Sequence, residues 1–212
     1  MFEDRSDAGE SLARRLGEFA QREDVIVLAL PRGGVPVGYV VARALNVPLD
    51  VFVVRKLGTP GQPELAMGAI ASGGVRVLNR DVVDTFGIPE SLIQQVAEAE
   101  QEELERREKQ YRGERPPLDV RGRTVILVDD GLATGSSMRA AAAALEERGA
   151  ARIVVAVPVA AGVTCDLLRA EGLEVVCAAT PEPFFAVGQW YRDFAQTSDR
   201  EVSEWLEKAS KE

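Results

Sequence analysis

The chain has 212 residues, 46% of them hydrophobic, and carries 25 Lys and Arg against 34 Asp and Glu for a net charge of −9. That suffices for one substantial core, while the acidic balance argues against nucleic acid or an anionic membrane surface as a main partner. The chain has no histidine, which removes Ser-His-Asp triads and histidine-ligated zinc or iron together.

No apolar run reaches a membrane-spanning length, and the acidic start Met1-Phe2-Glu3-Asp4 lacks a signal-peptide pattern, so a cytoplasmic protein is expected. In chain order, Ser11 to Gln21 predicts an opening amphipathic helix and Val25 to Leu30 an all-apolar strand. Gly34 to Leu45 then reads as a helix and Leu49 to Arg55 as a second strand. This alternation predicts a parallel sheet with right-handed crossovers. Lys56 to Glu64 is rich in Gly and Pro and has the composition of a mobile connection. Ala66 to Ile70 and Gly74 to Asn79 form a hairpin pattern around Ala71-Ser72-Gly73.

Asp81 to Phe86 reads as a short helix and Pro89 to Arg112 as a long charged one, supported by pairs four apart such as Glu102 with Arg106 and Glu105 with Lys109. Its thin apolar stripe (Leu92, Val96, Leu104) fits packing on the core edge or on a second copy; a solvated face is the leading expectation and a homodimer the alternative. A strand follows at Thr124 to Val128, then a helix at Met138 to Arg148. A strand at Arg152 to Val157, a helix at Val163 to Glu171 and a strand at Leu173 to Ala178 come next. A loop with Phe184, Phe185, Trp190 and Tyr191 precedes a closing helix at Asp199 to Lys208. Cys165 and Cys177 form no Cys-x-x-Cys pair and read as isolated small core residues without disulfide or thiol chemistry.

The most informative run is Thr124 to Ser137. A short β-branched strand ends in Asp129-Asp130, and a small, hydroxyl-rich loop (Ala133, Thr134, Gly135, Ser136, Ser137) then opens into a helix. Open α/β sheets bind ligands at the carboxyl ends of their strands, and a helix N-terminus offers free N–H groups to an anion. The two carboxylates cannot hold a phosphate. They can accept hydrogen bonds from a sugar diol or hold Mg2+, directly or through water. A ligand with both features is a ribose 5-phosphate. Pro31-Arg32-Gly33-Gly34 ends the first strand on the same sheet edge, where two glycines permit close backbone approach and Arg32 offers a fork of donors suited to a diphosphate.

The signature resembles that of type I phosphoribosyltransferases, in which an apolar strand, two acidic residues, a spacer and Thr-Gly-x-Ser/Thr bind 5-phosphoribosyl-1-pyrophosphate (PRPP). The resemblance implies a three-layer α/β fold with a mostly parallel twisted sheet, a helical insertion at 79–117 and a small C-terminal hood at 179–198, all within one domain over 1–212. It implies transfer of phosphoribosyl from PRPP to a nitrogenous base with Mg2+ as cofactor and no nucleic-acid or membrane partner. The alternative is a non-catalytic regulator that binds PRPP or a nucleotide.

On this pattern Asp129 and Asp130 meet the ribose hydroxyls, Ala133 to Ser137 the 5-phosphate, and Arg32, Gly33 and Gly34 the pyrophosphate. Lys56 supplies a second cation from the loop that closes over the donor, and Arg55 and Glu64 share that segment, with Glu64 a candidate acid or base. Phe185 and Trp190 stack on the acceptor from the hood or, as the alternative, pack the terminal segment onto the core. Lys56 to Ala71, with its Pro-Glu-Leu-Ala-Met-Gly-Ala stretch, also resembles a subgroup of bacterial phosphoribosyltransferases of unassigned acceptor. One departure stands at Ala133, where hypoxanthine-guanine-type members carry an Asp that handles the purine proton; adenine-type members also have Ala.

Overall fold

The computed structural model of the chain describes residues 1–113, 115–116 and 118–211, and only the backbone of Pro63 and Glu64. Helix α1 (Arg5–Ala13) precedes β1 (Val25–Ala29), α2 (Gly34–Leu45) and β2 (Leu49–Val51). After these come β3 (Val54–Thr59), β4 (Gln62–Ala71) and β5 (Val75–Leu78), then α3 (Arg80–Thr85) and α4 (Glu90–Arg112). The second half runs β6 (Thr124–Val128), α5 (Ser136–Glu147), β7 (Arg152–Val159), α6 (Gly162–Ala170), β8 (Glu174–Ala179) and α7 (Asp199–Ala209).

Five strands form one parallel sheet in the order β2-β1-β6-β7-β8. Strict alternation assigns its two faces. Val25, Val27, Ile126, Val128, Val154 and Ala156 pack with α1 and α2, whereas Ile26, Leu28, Val125, Leu127, Val155 and Val157 pack with α5 and α6. Burial on both faces is why these strands are almost continuously apolar. The three layers, helix, sheet and helix, follow from that pattern.

The structure corrects several expectations. The opening helix starts six residues earlier than Ser11 because Asp4 caps it, its carboxylate accepting from the backbone N–H groups of Ser6 and Asp7 at 2.8 and 2.9 Å. The second strand stops at Val51, and the chain then passes to a separate antiparallel sheet, β3-β4-β5. Lys56 to Glu64, expected as a mobile connection, forms the β3–β4 hairpin, with Thr59 opposite Gln62. Pro60-Gly61 makes its turn, Gly61 at φ 78°, as a Pro-Gly pair does when φ must be positive at the second position. Leu57 and Met67 anchor the hairpin, both fully buried.

Helix α4 is more than a solvated face. Ile93, Ala97, Leu104 and Tyr111 are buried against β2, β3, β4 and α7. Its charged pairs are also shifted from the expected register, Arg106 and Arg107 both binding Glu103. The two cysteines are free thiols but not isolated, for their sulfurs lie 2.8 Å apart between α6 and β8. Among the described residues no helix is long and apolar enough to cross a membrane.

Candidate active site

The carboxyl ends of β1 and β6 meet as expected. The N–H of Leu30 donates to the Val128 carbonyl at 2.8 Å, which carries the Pro31–Gly34 turn directly over Asp129 and Asp130. Neither glycine of that turn has positive φ, so their lack of a side chain is what matters. A Cβ on Gly33 would overlap the Asp130 carboxylate, and one on Gly34 would lie 2.7 Å from the Val128 carbonyl and 2.9 Å from the Cα of Asp129.

Asp129 accepts the N–H of Asp130 on its Oδ1 at 2.8 Å. Asp130 Oδ2 accepts from Arg5 Nε at 2.9 Å, with Arg5 Nη2 in ion-pair contact at 2.8 Å, and its main-chain carbonyl accepts from the Tyr191 hydroxyl at 2.5 Å. Burial, and secondarily the charge of Asp130, pushes the Asp129 carboxyl well above the ordinary range. Burial also raises Asp130, with the Arg5 charge pulling the other way. Asp129 Oδ2 and Asp130 Oδ1 have no hydrogen-bond partner among the described residues.

The loop that follows is pinned through its carbonyls. Leu132 O accepts from Ala161 N–H at 3.0 Å, Ala133 O from the Thr164 hydroxyl at 2.5 Å, and Thr134 O from Arg139 at 3.0 Å. Gly135, at φ 76°, turns the chain into α5 in a conformation that favours glycine. From Ala133 to Met138 the backbone N–H groups have no acceptor among the described residues, and the Thr134 and Ser136 hydroxyls sit 3.3 Å apart at the surface. The result is a cluster of donors at a helix N-terminus, a geometry that takes an anion.

Lys56 is exposed on β3 and lines, with Ser136, Ser137 and Arg139, a cavity of about 600 Å³ between the small sheet and α5. The sheet thus brings Lys56 to the flank of the hydroxyl loop. Arg55 instead pairs with Glu100 of α4 at 2.6 Å. The side chain of Glu64 lies outside the described residues. Arg32 is one-third exposed and 3.8 Å from Asp199, whose other partner is the Tyr111 hydroxyl at 2.5 Å. Burial and that bond push the Tyr111 phenol up to about 12.

Hood aromatics divide into two groups. Phe185 is 75% exposed. Trp190, Phe184 and Phe194 pack around the buried Tyr191 with Phe2 and Val159, so in this structure Trp190 belongs to the hood's own core. Arg5, Tyr191 and Thr164 are contacts of the acid pair and loop that no sequence pattern marks, since each partner is remote in the chain; Arg5 and Asp130 are 125 residues apart.

Comparison with known proteins accords with this architecture. The family model described as the phosphoribosyl transferase domain matches residues 4–177. The chain belongs to that family. It is 47% identical, over all 212 residues, to the Mycobacterium tuberculosis protein named "Putative phosphoribosyl transferase Rv0571c". The match covers 48% of that protein, so the chain spans about half the length of the curated relatives it matches. The crystal structure of TT1426 from Thermus thermophilus is similar over 98% of both chains, with a TM-score of 0.88 and 42% identity.

Proposed function

We propose that this phosphoribosyltransferase-family chain is an enzyme that transfers the 5-phosphoribosyl group of PRPP to a nitrogenous base and releases pyrophosphate. The observation that carries the reading is the loop from Ala133 to Met138, with its carbonyls tied back and its N–H groups free beside two carboxylates. That pairing suits a phosphate and a sugar diol on one ligand. In the step itself the acceptor nitrogen bonds to C1 of the ribose, the C1–O bond to pyrophosphate breaks with its electron pair leaving on oxygen, and the acceptor gives up a proton.

Each group has a role in that displacement. Thr134 to Ser137 grip the 5-phosphate, while Asp129 and Asp130 hold the ribose hydroxyls, fixing C1 for in-line attack. Arg32 and the Gly33-Gly34 backbone meet the departing pyrophosphate, and Lys56 adds a cation from the flank of the loop. Among the described residues no cluster of three or more Cys, Asp or Glu side chains is set to hold a metal. Two adjacent carboxylates with unpartnered oxygens nonetheless fit Mg2+, which takes one or two protein carboxylates and completes its shell with phosphate and water. Bound there, Mg2+ would supply charge neutralisation for the diphosphate.

Ala133 leaves no carboxylate on the loop to take the acceptor proton, which favours an acceptor other than hypoxanthine or guanine. Glu64 and the exposed hood residue Phe185 are the acceptor-side candidates, Trp190 being packed into the hood itself. The test is pyrophosphate release from PRPP and Mg2+ across purines, pyrimidines and other ring nitrogens, with Arg32→Ala and Asp130→Asn as controls. Release with one acceptor, lost in both variants, is expected. PRPP binding without release for any acceptor would make the protein a regulator instead.

A further inference from the structure

Arg5 opens α1, and each nitrogen of its guanidinium is engaged. Nε and Nη2 converge on Asp130 Oδ2 at 2.9 and 2.8 Å, and Nη1 donates to the Ala195 carbonyl at 2.8 Å. The guanidinium carbon lies 4.1 Å from the centre of the Phe194 ring. The ion pair is nearly closed to water, with side-chain exposures of 11% for Arg5 and 16% for Asp130. Asp130 Oδ2 is thus held between Arg5 and the bare face of Gly33. Its Oδ1 is left for something else.

We infer that Arg5 is a positioning residue of the ribose-diol site, orienting Asp130 so that Oδ1 faces the sugar and tying that carboxylate to the hood through Phe194 and Ala195. The inference rests on the proposed ribose 5-phosphate reading. Arg5 acts through Asp130, since its nitrogens are spent on protein acceptors. A planar guanidinium is needed because the same group must donate to Asp130 Oδ2, reach a carbonyl on its other side and stack on a ring; a lysine ammonium is a compact point charge without that plane. Without that cation, two adjacent carboxylates of like charge face each other in a site nearly closed to water, and Asp130 loses the partner that sets its orientation.

The experiment is NMR titration of wild type, Arg5→Gln and Arg5→Lys with ribose 5-phosphate and, separately, with inorganic phosphate, which has no diol. Arg5→Gln is expected to weaken ribose 5-phosphate at least tenfold while phosphate changes less than twofold, with Arg5→Lys intermediate. In an Asp130→Asn background, Arg5→Gln is expected to cost nothing further. Wild-type affinity for ribose 5-phosphate in Arg5→Gln, equal losses for both ligands, or full additivity with Asp130→Asn overturns the inference. Where Arg5→Gln fails to fold, Arg5→Lys decides by the same selective loss or its absence. A wild-type protein that binds neither ligand refutes the ribose reading itself, and with it the role of Arg5.

Discussion

Gly33 packs against Asp130 with no room between them for a single carbon. The glycine of the Arg-Gly-Gly turn is therefore a spacer for the acid pair. Gly33→Ala must push the carboxylate aside, and overpacking of this kind costs about 1–3 kcal/mol. Borne by the bound geometry, that corresponds to a loss of PRPP affinity of roughly fivefold to a hundredfold, measured by calorimetry. Gly34→Ala meets backbone, so it is expected to lower the melting temperature as well.

Tyr191 is expected to act on stability first. Its hydroxyl is the donor to the Asp130 carbonyl, and the ring is buried. Tyr191→Phe leaves that carbonyl short of its side-chain donor, at a cost of about 1–3 kcal/mol. Thermal unfolding checks this. A melting temperature equal to wild type would show that water replaces the hydroxyl.

Thr164 tests the pinned loop. Thr164→Val removes the bond to Ala133 O while nearly conserving shape, and a hydrogen bond of this kind is worth about 0.5–1.5 kcal/mol net. Affinity for ribose 5-phosphate is expected to fall roughly twofold to tenfold, with little change in the fold seen by circular dichroism.

Tyr111 gives the protein an alkaline limb. Its phenol ionises at about 12 in the folded chain against an ordinary 10. Above pH 10 the unfolded chain gives up this proton while the folded chain keeps it, so stability is intact below 10 and falls as pH rises toward 12. Tyr111→Phe is expected to flatten that part of the melting-temperature profile between pH 10 and 12. An unchanged slope would place its cause elsewhere.

The parallel sheet was legible because burial on both faces leaves an unmistakable apolar run at Val25 to Leu30 and Thr124 to Val128, and α2 was readable to the residue. Asp129, Asp130 and Gly33 were legible as neighbours because parallel strands put their carboxyl ends on one edge. The β3–β4 hairpin was misread because Gly and Pro signal both loops and turns; Leu57, buried within it, was the clue. Arg5 left no trace at all. An arginine in a first helical turn has no local pattern that points to a carboxylate 125 residues away, and only the packing of α1 beneath the hood makes them partners.

The most direct measurement is calorimetric titration of the wild-type chain with PRPP in the presence of Mg2+, repeated for Asp130→Asn and Arg32→Ala. The expected result is saturable binding at one site, weakened at least tenfold by each substitution without loss of folding. No PRPP binding by the folded wild-type chain, or binding that both substitutions leave untouched, contradicts the assignment of the Asp129-Asp130 strand end as a phosphoribosyl site.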